Sequence, residues 1–176
     1  VETTVVHRGP NVLRGFDDDV RSHVAEELEA SGIKVRLGTR IVSIEKTPEG
    51  LVSACADGHT LTSDVVMFAL GREPYTAGLG LETAGVELTE NGAVKVDAYS
   101  RTTSDHIWAV GDVTDRINLT PVAIREGAAF AQTEFYANPT SFDHEMVASA
   151  VFTQPQIGSV GLSEAEASDG EATVRG

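Results

Sequence analysis

An α/β fold is what this sequence predicts, and three observations predict it. Two short β-favouring runs, residues 3–7 and 33–37, flank one amphipathic helical stretch, the pattern of a βαβ unit. Alternating segments separated by glycine-containing turns follow, the pattern of an antiparallel meander. Further on, in HIWAVGDVTDRINLTPVAIREGAAFAQTEF (residues 106–135), an apolar run stops at a Gly-Asp corner and leads into a second helix.

The run 3–7 has no turn or cap before it, so the chain is expected to open within a domain. Gly9-Pro10 breaks the run, leaving Arg8 at its end and Arg14 shortly after. A dinucleotide-binding unit that takes a free ribose 2′-OH carries an acid at such a strand end, whereas an arginine accommodates a 2′-phosphate. Here the residues are His7 and Arg8. Two guanidinium groups bracketing one turn suit a phosphate through bidentate hydrogen bonding, although a pair of solvated arginines would read the same way.

The helix that follows has Asp17, Asp18 and Asp19 at its positive end, Val20, Val24 and Leu28 on one face, and Gly32 as its stop. After the 33–37 strand, residues 40–46, 51–56 and 59–61 form the expected meander, with turns at Pro48-Glu49-Gly50 and Asp57-Gly58. Cys55 falls inside one of these strands, where a lone thiol is ordinarily a small core residue. Residues 65–70 (VVMFAL) are continuously apolar, as a buried parallel strand would be, and end in Gly71-Arg72. Past Pro74 and Gly78, residues 85–98 carry the Asn91-Gly92 hairpin signature.

The 106–135 stretch carries the chemistry. Residues 107–110 are expected as a strand ending at Gly111, where a missing Cβ lets another backbone or a ligand approach. Asp112 then stands at the carboxyl end of the strand, the edge at which open α/β sheets bind ligands, and its oxygens suit a sugar hydroxyl. Thr120-Pro121 reads as an N-cap followed by proline at the first helical position, aiming free N–H groups and a partial positive charge outward. Ala123, Gly127 and Ala131 recur every four residues and lay a narrow stripe of small side chains on one helix face. A helical glycine costs about 1 kcal/mol relative to alanine, so Gly127 calls for a packing reason. Each feature alone is an ordinary turn or helix start; gathered in one segment, they favour a ligand edge.

Composition narrows the class. Of 176 residues, 41% are hydrophobic and 23% charged, as in ordinary globular chains, and no stretch is long and apolar enough to span a membrane. A formal net charge of -14 argues against nucleic acid, which needs clustered cations. The single cysteine excludes an internal disulfide or a paired-thiol centre within these residues and fits a reducing, cytoplasmic setting. No leader pattern opens the chain.

The segment IWAVGDVTDRINLTPVAIREG resembles the flavin-binding segment of glutathione reductases in the pyridine nucleotide-disulfide oxidoreductase family, and the likeness extends over essentially the whole chain. It implies partial Rossmann-like domains. Residues 1–72 would be the second half of an NADPH-binding domain, 73–140 the second half of an FAD-binding domain, and 141–176 the start of an α+β interface domain that pairs two subunits as a homodimer. Arg8 and Arg14 match arginines that bind the NADPH 2′-phosphate, with Gly9 where some members are basic. Gly71 matches a glycine lying against the dinucleotide. Gly111 and Asp112 match the ribityl-binding corner of FAD, and Thr120 the helix start facing the flavin pyrimidine. Ala150 matches a backbone carbonyl that contacts the nicotinamide amide, with Phe152 packed nearby and Gln154-Pro155 at a cis-proline position.

The resemblance also shows what these residues omit: a G-x-G-x-x-G phosphate loop, a C-x-x-x-x-C pair, and the His-Glu dyad, whose motif none of the five histidines occupies. The expectation is an internal fragment of an NADPH- and FAD-dependent enzyme that reduces glutathione disulfide, inactive alone, with no catalytic residue or metal site of its own. Reduction of another disulfide or of mercuric ion, and a non-catalytic binding or assembly role, are the competing expectations. The closing DGEATVRG reads as an interrupted element.

Overall fold

The computed structural model describes residues 1–169. The chain divides into two compact units, one formed by Val1–Ala69 together with the stretch from Ala148 onward, the other by Leu70–Val147.

In the first unit, β1 (Thr4–Val6) and β2 (Lys34–Arg36) pair in parallel, with Val5 opposite Val35, and α1 (Asp18–Ala30) makes the crossover between them. The boundaries of α1 follow from local chemistry. Asp17 caps it by accepting from the Asp19 N–H at 3.0 Å, Asp18 and Asp19 face the positive end of the dipole, and Gly32 turns the chain out at φ +90°. Val24 is the buried anchor of the helix, which packs on β2. The meander follows as β3 (Ile41–Thr47), β4 (Gly50–Cys55) and β5 (Thr60–Ser63), in the order β3-β4-β5 and all antiparallel. Ser53 and Cys55 are buried on β4, so the thiol is a core residue. A separate ribbon, β6 (Ser149–Val151) with β7 (Ile157–Ser159), encloses a cis Gln154-Pro155 bond, and α3 (Glu164–Asp169) follows.

The second unit is built around α2 (Thr120–Phe135), which buries Val122, Glu126 and Ala129 on one face. A 3-10 turn at Gly111–Thr114 packs against it. Gly111 lies at φ +74°, and a Cβ there would stand 3.0 Å from that of Ala123; the close approach expected at this glycine is the approach of α2. Trp108 packs on Phe130 with ring centroids 5.6 Å apart. Arg101 ties its loop to α2 through Glu134 at 2.8 Å, a bond that raises the guanidinium pKa above its ordinary value.

Several expected elements are corrected. Residues 65–70 form no strand, and Val65, Met67, Phe68 and Leu70 are exposed: the run pairs with neither outer edge of the two-stranded β1-β2 sheet, so its peptide groups are left without a ladder. The 107–110 run is extended but reduced to a single bridge, Arg101 to Trp108, and the Asn91-Gly92 hairpin to one bridge, Leu88 to Val94, closed by a turn from Thr89 to Gly92. Gly127 has no close neighbour where a Cβ would stand, so the tight packing expected along the small-residue stripe is confined to Ala123. Of the closing DGEATVRG, only Asp169 lies within the described residues.

Two substitutions check this packing. Val24→Ala removes a fully buried side chain and is expected to destabilise the chain by about 2 kcal/mol in urea unfolding. Gly111→Ala forces a side chain into a left-handed conformation against Ala123, and a loss of about 1–3 kcal/mol is expected, read as a lower urea midpoint at unchanged slope. A Gly111→Ala midpoint equal to wild type would show that the corner is not held against α2.

Candidate functional site

The Gly111–Thr114 turn is held by several hydrogen bonds. The Gly111 N–H donates to Glu126 Oε2 at 2.6 Å, and the Thr114 hydroxyl donates to the Gly111 carbonyl at 2.8 Å. Val94 N–H reaches the Val113 carbonyl at 2.9 Å. Beyond the turn, Asp115 adopts a left-handed conformation and accepts from Asn91 at 2.6 Å and Asn118 at 2.8 Å. Glu126 itself is buried on α2 at 2% exposure and holds two further partners, the Arg116 guanidinium at 2.9 Å and His144 Nε2 at 2.6 Å. Phe142 sits edge-on to the His144 ring, with centroids 4.9 Å apart.

Asp112 is the exception in this locked corner. Its side chain stays 46% exposed and meets one cation, Arg72, at 3.2 Å. The two face a shallow cavity of about 240 Å³ lined also by Glu73, Pro74, Tyr75, Val113 and Asn118. A carboxylate that accepts from hydroxyls and a guanidinium that grips phosphate therefore stand side by side. At the start of α2, Thr120 is exposed, and its N–H donates to no carbonyl among the described residues. The cap itself differs from expectation: Leu119 is the N-cap, Thr120 is the first helical residue, and no side chain caps the helix. The extended Leu119 backbone already accepts from Val122 and Ala123, which leaves the threonine hydroxyl no capping role. With no acid in the first turn, the positive end of the helix is uncompensated.

Gly71, Gly111, Asp112 and Thr120 thus fall in the second unit, and Gly71, at φ +108°, immediately precedes Arg72. Arg8 and Arg14 lie in the first unit, exposed in the loop between β1 and α1, with no ion pair or side-chain hydrogen bond among the described residues. That loop is held by Arg21, one turn into α1, whose Nε donates to the Val12 carbonyl at 2.8 Å. Ala150 lies on β6 opposite Gly158.

Four residues of the candidate site escaped the sequence reading: Arg72, Arg116, Glu126 and His144. Only Glu126 left a signal. It occupies the position between Val122 and Ala129 that i, i+4, i+7 spacing assigns to the buried face, so a charge there demanded partners.

The sequence profile described as Pyridine nucleotide-disulphide oxidoreductase matches residues 1–127. A glutathione reductase of Burkholderia cepacia is 54% identical over 169 residues, covering 96% of this chain and 38% of that protein. A trypanothione reductase of Trypanosoma congolense is 47% identical over 167 residues, covering 94% of this chain and 34% of that protein. Among solved structures, the HOCl-induced flavoprotein disulfide reductase RclA from Escherichia coli superposes with a TM-score of 0.92 at 27% identity, over 99% of this chain and 40% of that one. The chain spans well under half the length of each of these relatives. Its α/β class is theirs, and with the profile match covering more than half of its residues, the chain belongs to the pyridine nucleotide-disulphide oxidoreductase family.

Proposed function

We propose that the chain is part of an NADPH-dependent, FAD-containing disulfide reductase whose substrate is glutathione disulfide. The observation that carries the reading is the Asp112 corner: a carboxylate and the Arg72 guanidinium face one cavity, on a chain 54% identical to a glutathione reductase. When bound, FAD would supply a two-electron relay between a nicotinamide and a disulfide. The chain's own part is binding and orientation. Asp112 accepts from ribityl hydroxyls, Arg72 answers phosphate charge, and the bare N-terminus of α2 at Thr120 offers an N–H and a partial positive charge to an electron-rich ring edge. The exposed Arg8 and Arg14, unpaired among the described residues, fit the 2′-phosphate of NADPH, with the Ala150 carbonyl against the dinucleotide.

The domain assignment of residues 1–72, 73–140 and 141–176, a homodimeric parent and a cytoplasmic location belong to the same proposal. Among the described residues no helix is long and apolar enough to cross a membrane. The 176 residues hold one cysteine, buried in β4, so the thiol pair such a reaction needs is not among them. A trypanothione reductase at 47% identity keeps a second substrate, a different thiol disulfide, as the runner-up.

Titration of the isotope-labelled chain with FAD is expected to shift the amide resonances of Arg72, Asp112 and Thr120, and Asp112→Asn to weaken that binding about tenfold. Shifts elsewhere with none at these positions would remove the flavin assignment. In a parallel titration NADPH should move the Arg8 and Arg14 signals more than NADH does, and equal responses would count against a 2′-phosphate site. Mixed with NADPH and glutathione disulfide, the 176 residues should show no turnover above background. The reaction itself is tested by the coding sequence on either side: a C-x-x-x-x-C pair and a His-Glu dyad are expected, and their absence would retire the reductase reading.

A further inference from the structure

We propose that Glu126 is the positioning residue of the Asp112 site: it does not line the cavity and acts through Gly111, fixing the corner that presents the carboxylate. The proposal rests on the flavin reading above and extends it to a residue outside the cavity.

The argument begins with what Asp112 lacks. Its side chain has a single partner, Arg72, which shares the cavity with it, so its direction is set by the backbone beneath it. That backbone belongs to Gly111 and its turn. The Gly111 N–H is taken by Glu126 at 2.6 Å, and no other described residue bonds it. Glu126 stands on α2 six residues after Thr120, so one side chain ties the turn that carries Asp112 to the helix that offers the Thr120 N–H. The carboxylate is in turn pinned by Arg116 and His144, while Arg116 reaches back to the Thr114 and Ser100 hydroxyls at 3.2 Å each. Glu126 therefore has no rotational freedom to pass on to the corner.

Stability alone is a poor account of this arrangement. A buried ion pair often adds less to stability than apolar side chains of equal volume would. What the carboxylate provides and an apolar side chain cannot is an acceptor aimed at one N–H, which fixes the peptide plane entering Asp112. A single acceptor also makes a testable distinction: a positioning residue couples to Asp112, while a residue needed only for folding does not.

The experiment is a double-mutant cycle on FAD binding, followed by amide shifts in the wild-type chain, Glu126→Gln, Asp112→Asn and the pair, with circular dichroism and thermal melting as controls for folding. Glu126→Gln keeps the volume, but its one carbonyl oxygen is drawn to the two donors Arg116 and His144, which turns the amide NH₂ onto the Gly111 N–H, and it is expected to weaken FAD binding about tenfold in a folded chain. In the pair, the Asp112→Asn loss should largely disappear, because Asp112 is already misplaced. Should Glu126→Gln fail to fold, His144→Gln loosens the same carboxylate more mildly and should show a smaller loss with the same non-additivity. Wild-type FAD affinity in a folded Glu126→Gln chain, or losses that simply multiply, would overturn the proposal while leaving the flavin reading intact. A wild-type chain that shows no FAD response at Asp112 would overturn the flavin reading, and the positioning role with it.

Discussion

A carboxylate enclosed in an apolar helix face is the constraint to which the rest of the second unit answers. Moving an ionised group out of water costs several kcal/mol unless donors surround it, so Glu126 can sit where it does only if they converge on it. They come from three separate stretches: the Gly111 peptide, Arg116 in the loop before α2, and His144 in the segment after it. The loop around the corner is irregular, with bridges instead of strands, and a network of this kind supplies a definite geometry where a ladder would otherwise do so. The small side chain of Ala123 and the bare Gly111 let the turn come close enough for the 2.6 Å bond to form.

What the sequence made legible follows how far apart the partners lie. The cap, acidic first turn and glycine stop of α1 are decided within a few residues, and the meander turns at Gly50 and Gly58 likewise, so both were readable. Residues 65–70 were misread because an apolar run states only a need for burial; whether a strand lies alongside is a property of distant residues. The Gly-Asp corner was legible as a candidate, but the residues that hold it were not. Arg72 and Asp112 are forty residues apart, and Glu126 reads as surface unless its register with Val122 and Ala129 is taken more seriously than its charge.

Charge sets the background against which Arg8, Arg14 and Arg72 stand exposed. With 13 lysines and arginines against 27 acids, the surface as a whole repels anions. On the proposed reading, Arg8, Arg14 and Arg72 would recognise phosphate against that background by direct guanidinium contact, with little help from long-range attraction.

The hydrogen bond from Asn91 to Asp115 has a consequence in protein ageing. Asn91 precedes Gly92 in a tight turn, and an Asn-Gly pair is the dipeptide most prone to spontaneous deamidation through a cyclic imide. The product would replace the donating amide, 2.6 Å from Asp115, with a second carboxylate. Two like charges would then face each other at the residue that ends the Gly111–Thr114 turn, pushing on the corner from outside its buried network. Slow chemical wear at one exposed loop would thus reach the hydrogen-bonded turn of the candidate site, with no change in the coding sequence.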